Sequence, residues 1–403
     1  MRGCLLCLFV ALSGTVCFSS ECDDRSLKGL YDSHQLFELR RAVNQGHAPP
    51  FYQSIIACSF NDLHGCAREL ETVVQTAPRS NEARQARMNL AAAYFRSGRY
   101  REALSQVDTI LRGNPDDPAK EQRPLLTALA RLPEQVVIRR GPSNVRSRGW
   151  GEGLAIPVSI NGRPATYAFD TGNFAVAVSR SEAKRIRLAI YDTDPDAKVN
   201  GLSIKVGLAK QFAVGNFSFK NVAFIVFPDD QEPFSDMREG ERGLIGLPTL
   251  LAFQNFSWAA DKTFEFGLPI SKSVSEPNIA FDEQYVLAQV NFGSSKLTFG
   301  LDTGGETTTL TPRFAQTFAD IVKRSGQKGT KTEAEIGSVT RIDSIVLPQV
   351  AIRIGGHPTI LRQAHILVGS SEAGCRYGNL GMDLLKQSQK TAVDFKAMTL
   401  TMH

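Results

Sequence analysis

The sequence predicts a multidomain protein in which an all-α N-terminal region precedes two similar all-β lobes. Three observations support this prediction: helical spacing of apolar residues up to about residue 135, short β-type runs from residue 153 onward, and a repeated order among those runs. The chain has 403 residues, which is long enough for two or three domains with separate cores. Its net charge of +5 is small and dispersed, so the composition gives no indication of nucleic-acid binding.

Residues 1–19 have the layout of a secretory signal peptide. Arg2 precedes an apolar run at 4–18, and the small residues Ser19 and Ser20 follow it. The run is too short to predict a membrane span, and no other stretch is long and apolar enough to cross a bilayer. We therefore expect an exported protein, periplasmic or secreted, without a stable membrane span.

Residues 20–138 are predicted to form a helical module. In the stretch 89–117, apolar and small residues recur at helical spacing, Gly98 separates two helices, and Asn114-Pro115 ends the second. The order of Tyr, Gly, Tyr, Ala and Pro in this stretch resembles the tetratricopeptide repeat, and residues 51–78 resemble a shorter copy. Stacked helical pairs offer a concave groove, so we expect the module to bind a protein partner. The alternative is a small helical bundle packed on the neighbouring domain.

Four cysteines lie beyond the predicted signal peptide. Cys58 and Cys66 fall in adjacent helical segments, so export favours a disulfide between them, with two small buried thiols as an equally weighted alternative. The other two are Cys22 and Cys375, and no cysteine-peptidase motif surrounds Cys375. The six histidines are scattered without metal-ligand spacing, and we expect neither a metal nor a cofactor.

The β-type part of the chain is predicted to be an internal duplication. An Arg-, Gly-, Pro- and Ser-rich stretch at 139–152 is interpreted as a linker, followed by lobes at 153–270 and 278–403 joined by residues 270–278. Each lobe contains strand-like runs with hairpin turns between them. Asp170 and Gly246 are 76 residues apart, and Asp302 and Gly381 are 79 apart, so the two halves have the same internal spacing.

Each lobe carries an apolar residue followed by Asp-Thr-Gly, at 169–172 and at 301–304. An aspartate at the end of a strand is held on a tight loop, and the glycine permits close backbone approach. Two such loops related by an approximate two-fold axis bring two carboxylates face to face, where like charges force them to share a proton. One carboxylate then acts as a general base on water and the other as a general acid.

Because of these motifs, residues 153–403 resemble the aspartic peptidases, specifically the bacterial retropepsin-like group. The resemblance rests on the two Asp-Thr-Gly loops and on the later glycine segments at 244–246 and 379–381. It implies two all-β acid-protease lobes that form an intramolecular pseudo-dimer, active as a monomer on a polypeptide substrate. The implied catalytic pair is Asp170 and Asp302, while the implied supporting residues are Thr171, Gly172, Thr303 and Gly304.

The same resemblance implies hairpin flaps over the cleft. The candidate flap residues that would bind substrate are Asn200 and Gly201 in the first lobe and Gly337 and Ser338 in the second. An extended peptide can pair with such hairpins through its backbone. The alternative is that both are ordinary surface hairpins.

The predicted function is that of an aspartic endopeptidase that hydrolyses peptide bonds of exported or envelope polypeptides. Every acidic motif lies downstream of the helical module, so we expect this module to recruit or orient substrate, and a chain that starts near Gly149 to fold alone. Asn173 and Gly305 stand where the family usually has Ala, Ser or Thr, and Pro248 stands at the position that Asp383 fills in the second lobe. These departures keep open a second hypothesis, a catalytically degraded peptide-binding scaffold with a helical partner-binding module.

Overall fold

The computed structural model describes residues 22–150, 153–268, 276–368 and 375–403. The predicted signal peptide at 1–19 lies outside the described residues, as does part of the predicted connection at 270–278. Among the helices that are described, none combines the length and the apolar character needed to cross a membrane.

The N-terminal region is helical, as predicted. Its helices are α1 (Leu27–Asp32), α2 (Leu36–Gln45), α3 (Pro50–Ser59), α4 (Leu63–Thr76), α5 (Asn81–Arg96), α6 (Tyr100–Gly113) and α7 (Arg123–Ala130). Ser80 accepts a hydrogen bond from the backbone N–H of Ala83 and so caps the start of α5. Gly98, with a φ of 76°, makes the turn between α5 and α6 that the sequence predicts.

The rest of the chain is rich in β-strands. The first strands are β1 (Val136–Arg139), β2 (Ser143–Arg146), β3 (Arg148–Trp150), β4 (Gly153–Ile160), β5 (Arg163–Phe169), β6 (Val176–Ser179), β7 (Ala189–Tyr191), β8 (Lys198–Val199), β9 (Leu202–Ser203), β10 (Lys205–Ala209), β11 (Phe212–Val214), β12 (Phe217–Lys220), β13 (Val222–Phe227), β14 (Gly243–Ile245), β15 (Asn255–Ala259) and β16 (Thr263–Phe266). The later strands are β17 (Ile279–Asp282), β18 (Tyr285–Phe292), β19 (Ser295–Leu301), β20 (Thr309–Leu310), β21 (Gln327–Glu335), β22 (Ser338–Ile354), β23 (His357–Leu367), β24 (Gly378–Leu380), β25 (Lys390–Asp394) and β26 (Thr399–Met402). Short helices between them are α8 (Arg180–Arg185), α9 (Leu247–Phe253), α10 (Pro312–Thr317), α11 (Ala319–Ser325) and α12 (Met382–Leu385).

Two large sheets contain the same succession of strands. The first runs β1-β12-β11-β4-β5-β14-β6-β13-β10-β7, with β3 beside β4, and the second runs β17-β18-β19-β24-β20-β23-β22-β21. In the first sheet β5 is parallel to β14, β14 antiparallel to β6, and β6 parallel to β13. In the second sheet β19, β24, β20 and β23 have the same relative directions. A five-stranded sheet, β2-β16-β15-β25-β26, takes strands from both halves of the β-rich region.

Most of the predicted linker forms strands instead, which corrects that interpretation. Strand β1, which reaches Arg139, pairs with β12, β2 pairs with β16, and β3 pairs with β4. Ser143 is buried and its hydroxyl oxygen accepts a hydrogen bond from the backbone N–H of Asn216. Polar residues suit a strand at the margin of a sheet, where one side faces water, so the composition of 139–152 does not exclude strands.

The helical region shares a core with both halves of the β-rich region. Buried residues of α5, α6 and α7 form one apolar cluster with residues of the first large sheet, and α1 to α5 form another with Ala280 and Leu287 of the second. Arg96 is only 2% exposed, and its guanidinium donates to the backbone carbonyls of Cys58 and Glu283. The same guanidinium lies 4.5 Å from the ring centre of Phe281. The helices are therefore one side of the core and are not a separate module.

Among the described residues, two disulfides cross-link the chain. One joins Cys58 in α3 to Cys66 in α4 and closes the turn between these helices. The other joins Cys22, before α1, to Cys375, which precedes β24, with a sequence separation of 353 residues. The second bond has no short-range signal in the sequence, because its partners meet only when the helical region packs on the β-rich region.

The disulfides can be mapped by mass spectrometry of a non-reduced tryptic digest of the protein produced under oxidising conditions. Cys58 and Cys66 lie in one tryptic peptide, 42–68, which we expect to be two hydrogen atoms lighter than its reduced form. Cys22 and Cys375 lie in different peptides, which we expect to run as one cross-linked species until reduction. Replacing Cys22 by Ser should reduce the free energy of unfolding by about 2–5 kcal/mol. Free thiols in folded protein produced under oxidising conditions would contradict this pairing.

The structure also overturns the expectation that a chain starting near Gly149 folds alone. Such a chain lacks β1 and β2 and exposes the buried faces of Phe174, Ala280 and Leu287. We expect it to be insoluble or to melt without a cooperative transition, whereas the chain starting at Cys22 melts cooperatively. A monodisperse truncated protein with a sharp thermal transition would contradict this expectation.

Candidate functional site

Two loops lie at equivalent points of the two large sheets. Asp170 follows β5 and Asp302 follows β19, and each aspartate donates its backbone N–H to a carbonyl of the neighbouring parallel strand. The acceptors are Ile245 O at 3.1 Å and Leu380 O at 3.0 Å. The strands thus deliver both aspartates to the place where the two sheets meet.

Crossed hydrogen bonds between the two threonines lock these loops together. Thr171 N donates to Thr303 Oγ1 and Thr303 N donates to Thr171 Oγ1, each at 3.0 Å. Each hydroxyl then donates to the opposite strand, Thr171 to Leu301 O and Thr303 to Phe169 O, both at 2.8 Å. Both threonines are fully buried, and the four bonds obey an approximate two-fold symmetry.

The glycines of the two loops hold the carboxyl groups close to each other. Gly172 N donates to Asp170 Oδ1 at 2.8 Å, and Gly304 N donates to Asp302 Oδ1 at 2.9 Å. A Cβ atom at Gly172 would lie 2.8 Å from Asp302 Oδ1, and one at Gly304 would lie 2.6 Å from Asp170 Oδ1. Each glycine therefore faces the carboxyl group of the opposite loop, and a side chain at either position would clash with it.

Burial and proximity change the acidity of this pair. Asp170 is 0% exposed and Asp302 is 7% exposed. Burial, followed by the charge of Asp302, raises the pKa of Asp170 well above its usual range, while the N–H of Gly172 opposes the shift. A hydrogen bond between the two carboxyl groups adds to the rise of the Asp170 pKa. The two carboxyl groups are therefore able to share a single proton.

The later glycine segments pack beneath the loops. Leu247 N donates to Asn173 O at 2.9 Å, and Met382 N donates to Gly305 O at 2.8 Å. A Cβ atom at Gly246 would lie 2.1 Å from the carbonyl oxygen of Ala175, so only glycine fits there. These contacts support both catalytic-loop candidates from below in the same way.

Asn173 and Gly305, which stand where the family usually has Ala, Ser or Thr, each have a defined environment in the structure. The Asn173 side-chain oxygen accepts a hydrogen bond from Ala175 N at 3.3 Å, and its Nδ2 is buried without a hydrogen-bond partner in the described residues. Asn173 thus turns its oxygen toward its own loop. A Cβ atom at Gly305 would lie 2.9 Å from Asp302 Oδ2, so the glycine leaves space beside that carboxyl oxygen.

A third departure, Pro248, also has a visible consequence. In the second lobe Asp383 accepts hydrogen bonds from the N–H and the hydroxyl of Thr308, at 2.8 and 2.7 Å. Proline offers no such acceptor. Instead, the Pro248 carbonyl accepts a hydrogen bond from Gln135 Nε2 at 3.2 Å, just before β1. The first lobe therefore replaces a contact within the lobe by one to the segment that follows the helical region.

The structure brings the two flap candidates into contact with each other. Asn200 and Gly201 form the turn between β8 and β9, and the Asn200 side chain donates to Ile336 O at 3.2 Å. Gly337, in the turn between β21 and β22, lies so close to Leu202 that a Cβ atom would approach it to 2.6 Å. Ser338 is exposed at the start of β22.

Sequence reasoning did not identify the contribution of the helical region to this part of the molecule. A cavity next to Gly172 is lined by α5 and α7 as well as by Phe174 and the turn between β17 and β18. The rings of Phe95 in α5 and Phe174 in the first catalytic loop lie 5.5 Å apart. No sequence motif links these segments. The one feature that indicates packing at this position is the apolar residue Phe174, four residues after Asp170.

The arrangement has components that acid–base catalysis uses: two facing carboxyl groups, a raised pKa on Asp170 and an adjacent cavity. In the described ranges, no cluster of three or more His, Cys, Asp or Glu side chains is placed to hold a metal ion. A water molecule held by the carboxyl pair could be activated by the ionised member, while the protonated member donates to a carbonyl oxygen.

Comparison with known proteins agrees with this chemistry. Residues 156–249, which contain the first Asp-Thr-Gly loop, match the aspartyl protease family. No curated protein matches the chain. A retropepsin-like aspartic protease from Rickettsia conorii is 16% identical over 33% of this chain and 93% of its own, with a TM-score of 0.24. Basic 7S globulin from soybean is 10% identical over 66% of this chain and 94% of its own, with a TM-score of 0.35.

At these TM-scores the structural likeness adds nothing to what the geometry of the site shows. The family match covers the first Asp-Thr-Gly loop and the glycine segment beneath it, and it supports an aspartic peptidase. The second loop lies outside the matched residues. Its relation to the first is carried by the crossed threonines and by the equivalent strand directions.

The raised pKa of Asp170 predicts a pH dependence of stability. Its folded pKa exceeds the unfolded value of 3.8, so the folded protein binds more protons above pH 4 and loses stability as the pH rises through the folded pKa. Asp170→Asn removes this loss. We expect its Tm at pH 7 to equal or exceed that of the unaltered protein, with a weaker decline between pH 4 and 7.

The matched control is Asp261→Asn. Asp261 lies in an exposed turn, where its carboxylate accepts a hydrogen bond from Thr263 N. Its variant should retain the original decline of Tm with pH. A steeper decline for Asp170→Asn than for the unaltered protein would contradict the assigned direction of the shift.

Proposed function

We propose that this protein is an aspartic endopeptidase that hydrolyses peptide bonds of exported or envelope polypeptides. The observation that carries the proposal is the pair of interlocked Asp-Thr-Gly loops, which hold two buried carboxyl groups against each other. The aspartyl protease match at 156–249 supports the same activity. The proposed catalytic dyad is Asp170 and Asp302.

In the proposed reaction, the ionised carboxylate takes a proton from water as the water oxygen attacks the scissile carbonyl carbon. The protonated carboxyl group donates its proton to the carbonyl oxygen, which gives a neutral tetrahedral diol. When the diol collapses, the C–N bond breaks, the nitrogen receives a proton from the protonated member of the dyad, and a diol hydroxyl gives its proton to the ionised member, which restores the singly protonated pair. Because Asp302 is slightly exposed and Asp170 is not, Asp302 is better placed to face the water.

We further propose that the two halves of the β-rich region act as an intramolecular pseudo-dimer. The matching strand order in the two large sheets and the approximate two-fold symmetry of the threonine contacts support this. Since one chain supplies both loops, the active unit would be a monomer. The contact between the turns at Asn200 and Gly337 supports flaps that close over a bound peptide.

The degraded peptide-binding scaffold is the second candidate. It is favoured by Asn173, whose buried side-chain nitrogen lacks a hydrogen-bond partner in the described residues close to Asp170. In this reading the cleft binds an extended peptide without cutting it, and the helical region binds a protein partner. The tetratricopeptide-like order of residues in α5 and α6 supports that part of the proposal.

Substitution of the dyad separates the two candidates. We expect Asp170→Asn and Asp302→Asn each to lower kcat on a library of short peptides by at least about 100-fold, because each carboxyl group is needed in a different protonation state. The unaltered protein should show a bell-shaped pH–rate profile and inhibition by a pepstatin-type compound. Asp261→Asn should retain its turnover.

Thermal melts establish that each variant is folded. If either dyad variant is folded and cleaves at a rate near that of the unaltered protein, the two-aspartate mechanism is wrong. If the unaltered protein binds peptides but cleaves none of them between pH 3 and 8, the scaffold candidate stands in its place.

A further inference from the structure

The cavity beside the dyad is built from three distant parts of the chain. Gly172 of the first catalytic loop lies at one end, and the other walls come from the helical region and the turn between β17 and β18. Its volume is about 50 Å³, counted as the space open to the centres of water molecules. Gly172 also faces the carboxyl group of Asp302, so a peptide bound at the dyad would lie close to this cavity.

The inner surface of the cavity is mostly apolar. Phe95, Leu125 and Leu126 of the helical region line it together with Phe174 of the first Asp-Thr-Gly loop, and the rings of Phe95 and Phe174 are in contact. All four are buried, with exposures of 2–8%. Such a surface suits the methylene groups of a long side chain, which gain free energy by leaving water.

One carboxyl group in the cavity has no partner of its own. Glu283 lies in the turn between β17 and β18, where it is partly buried, and its backbone carbonyl accepts a hydrogen bond from Arg96. Within the described parts of the chain its carboxyl group makes neither a hydrogen bond nor an ion pair. Burial, followed by the charge of Asp282, raises the pKa of Glu283 to about 7. A cation that entered the cavity would favour the ionised form of Glu283.

The charged groups around Glu283 either form hydrogen bonds with other groups or are exposed to solvent. His34 Nδ1 lies within hydrogen-bond distance of Asp282 Oδ1, at 2.7 Å, and the charge of Asp282 raises the pKa of His34 to about 9. Arg96 donates to two backbone carbonyls. Glu121 and Lys198 also line the cavity, but both are exposed, so water screens their charges.

We propose that this cavity is a substrate subsite that accepts a lysine or arginine side chain, with its methylene groups against Phe95 and Phe174 and its cation paired with Glu283. The proposal rests on the proposed peptidase function, because the peptide reaches the cavity from the dyad. It assigns the helical region a direct part in substrate selection. Arginine and lysine share the required features, a long apolar stem and a terminal cation.

The test uses the full exported chain and a set of peptides that differ at one position, with lysine, arginine, norleucine or glutamate. Norleucine has nearly the length of lysine and lacks its charge. We expect kcat/KM for the lysine and arginine peptides to exceed that for norleucine by about 10–100-fold at the position that fills the cavity. Glu283→Gln should remove most of this preference by lowering kcat/KM for the lysine and arginine peptides toward the norleucine value.

The matched control is Glu121→Gln, which removes an exposed carboxylate from the same cavity and should retain the preference. The lysine-to-norleucine ratio should also rise between pH 6 and 8 as Glu283 ionises, and this rise should be absent from Glu283→Gln. The ratio cancels the titration of the dyad, which acts equally on both peptides. Over that range the Asp282–His34 pair and Arg96 remain charged.

Binding to the inactive Asp302→Asn variant distinguishes the two proposals. Cleavage without a preference for basic side chains would overturn the subsite and leave the peptidase. Tighter binding of lysine than norleucine peptides, abolished by Glu283→Gln, would support the subsite even if no peptide were cut, and the proposed function would then be wrong. A preference that survives Glu283→Gln, or the absence of any preference in both assays, would overturn the assignment of Glu283.

Discussion

The crossed hydrogen bonds between Thr171 and Thr303 are the contact on which the rest of the site depends. The N–H and hydroxyl groups of both threonines are buried, and these bonds give all four groups a partner at the place where the two sheets meet. An unpaired buried donor or acceptor costs about 1–3 kcal/mol, so neither loop can move away without that loss. The fixed loops in turn hold two carboxyl groups together that would otherwise repel each other.

The carboxyl pair shows why this rigidity is necessary. Desolvation and like charge both disfavour a doubly ionised pair, and the N–H groups of Gly172 and Gly304 offset only part of this cost. The surrounding structure therefore keeps the carboxyl group of Asp170 protonated to a higher pH than that of an isolated aspartate. The same low-polarity surroundings extend to Glu283, where burial again favours the protonated form. Acid–base chemistry and the proposed recognition of a cation thus rely on one physical cause.

The helical region is bound to this scaffold more closely than a recruiting module would require. It shares apolar clusters with both large sheets, and the Cys22–Cys375 disulfide fastens its start to the segment before β24. Within the described residues the Arg96 guanidinium contacts two carbonyls and an aromatic face and no carboxylate, so it joins α3, α5 and the second sheet at one point. Helices fixed in this way can shape a subsite, because their side chains are held in a constant position relative to the dyad.

Local sequence determined the secondary structure and the chemical groups of the site. Helical periodicity and the turn at Gly98 indicated the N-terminal helices, and the repeated Asp-Thr-Gly tripeptides selected the two aspartates that the structure brings together. Both signals are short-range, since they depend on residues a few positions apart. The strands at 136–150 were missed because their pairing partners, β12, β16 and β4, decide whether a polar segment becomes a strand.

Only the tertiary structure decided how these parts meet. The Cys22–Cys375 bond, the contact between the two flap candidates and the cavity beside Gly172 each unite residues from distant segments. The residues that flank these positions in the sequence do not predict the contacts, because the contacts arise from the packing of helices and sheets. Glu283 is the clearest case: the sequence shows an ordinary turn residue, and burial between the helices and the second sheet gives it an unusual acidity.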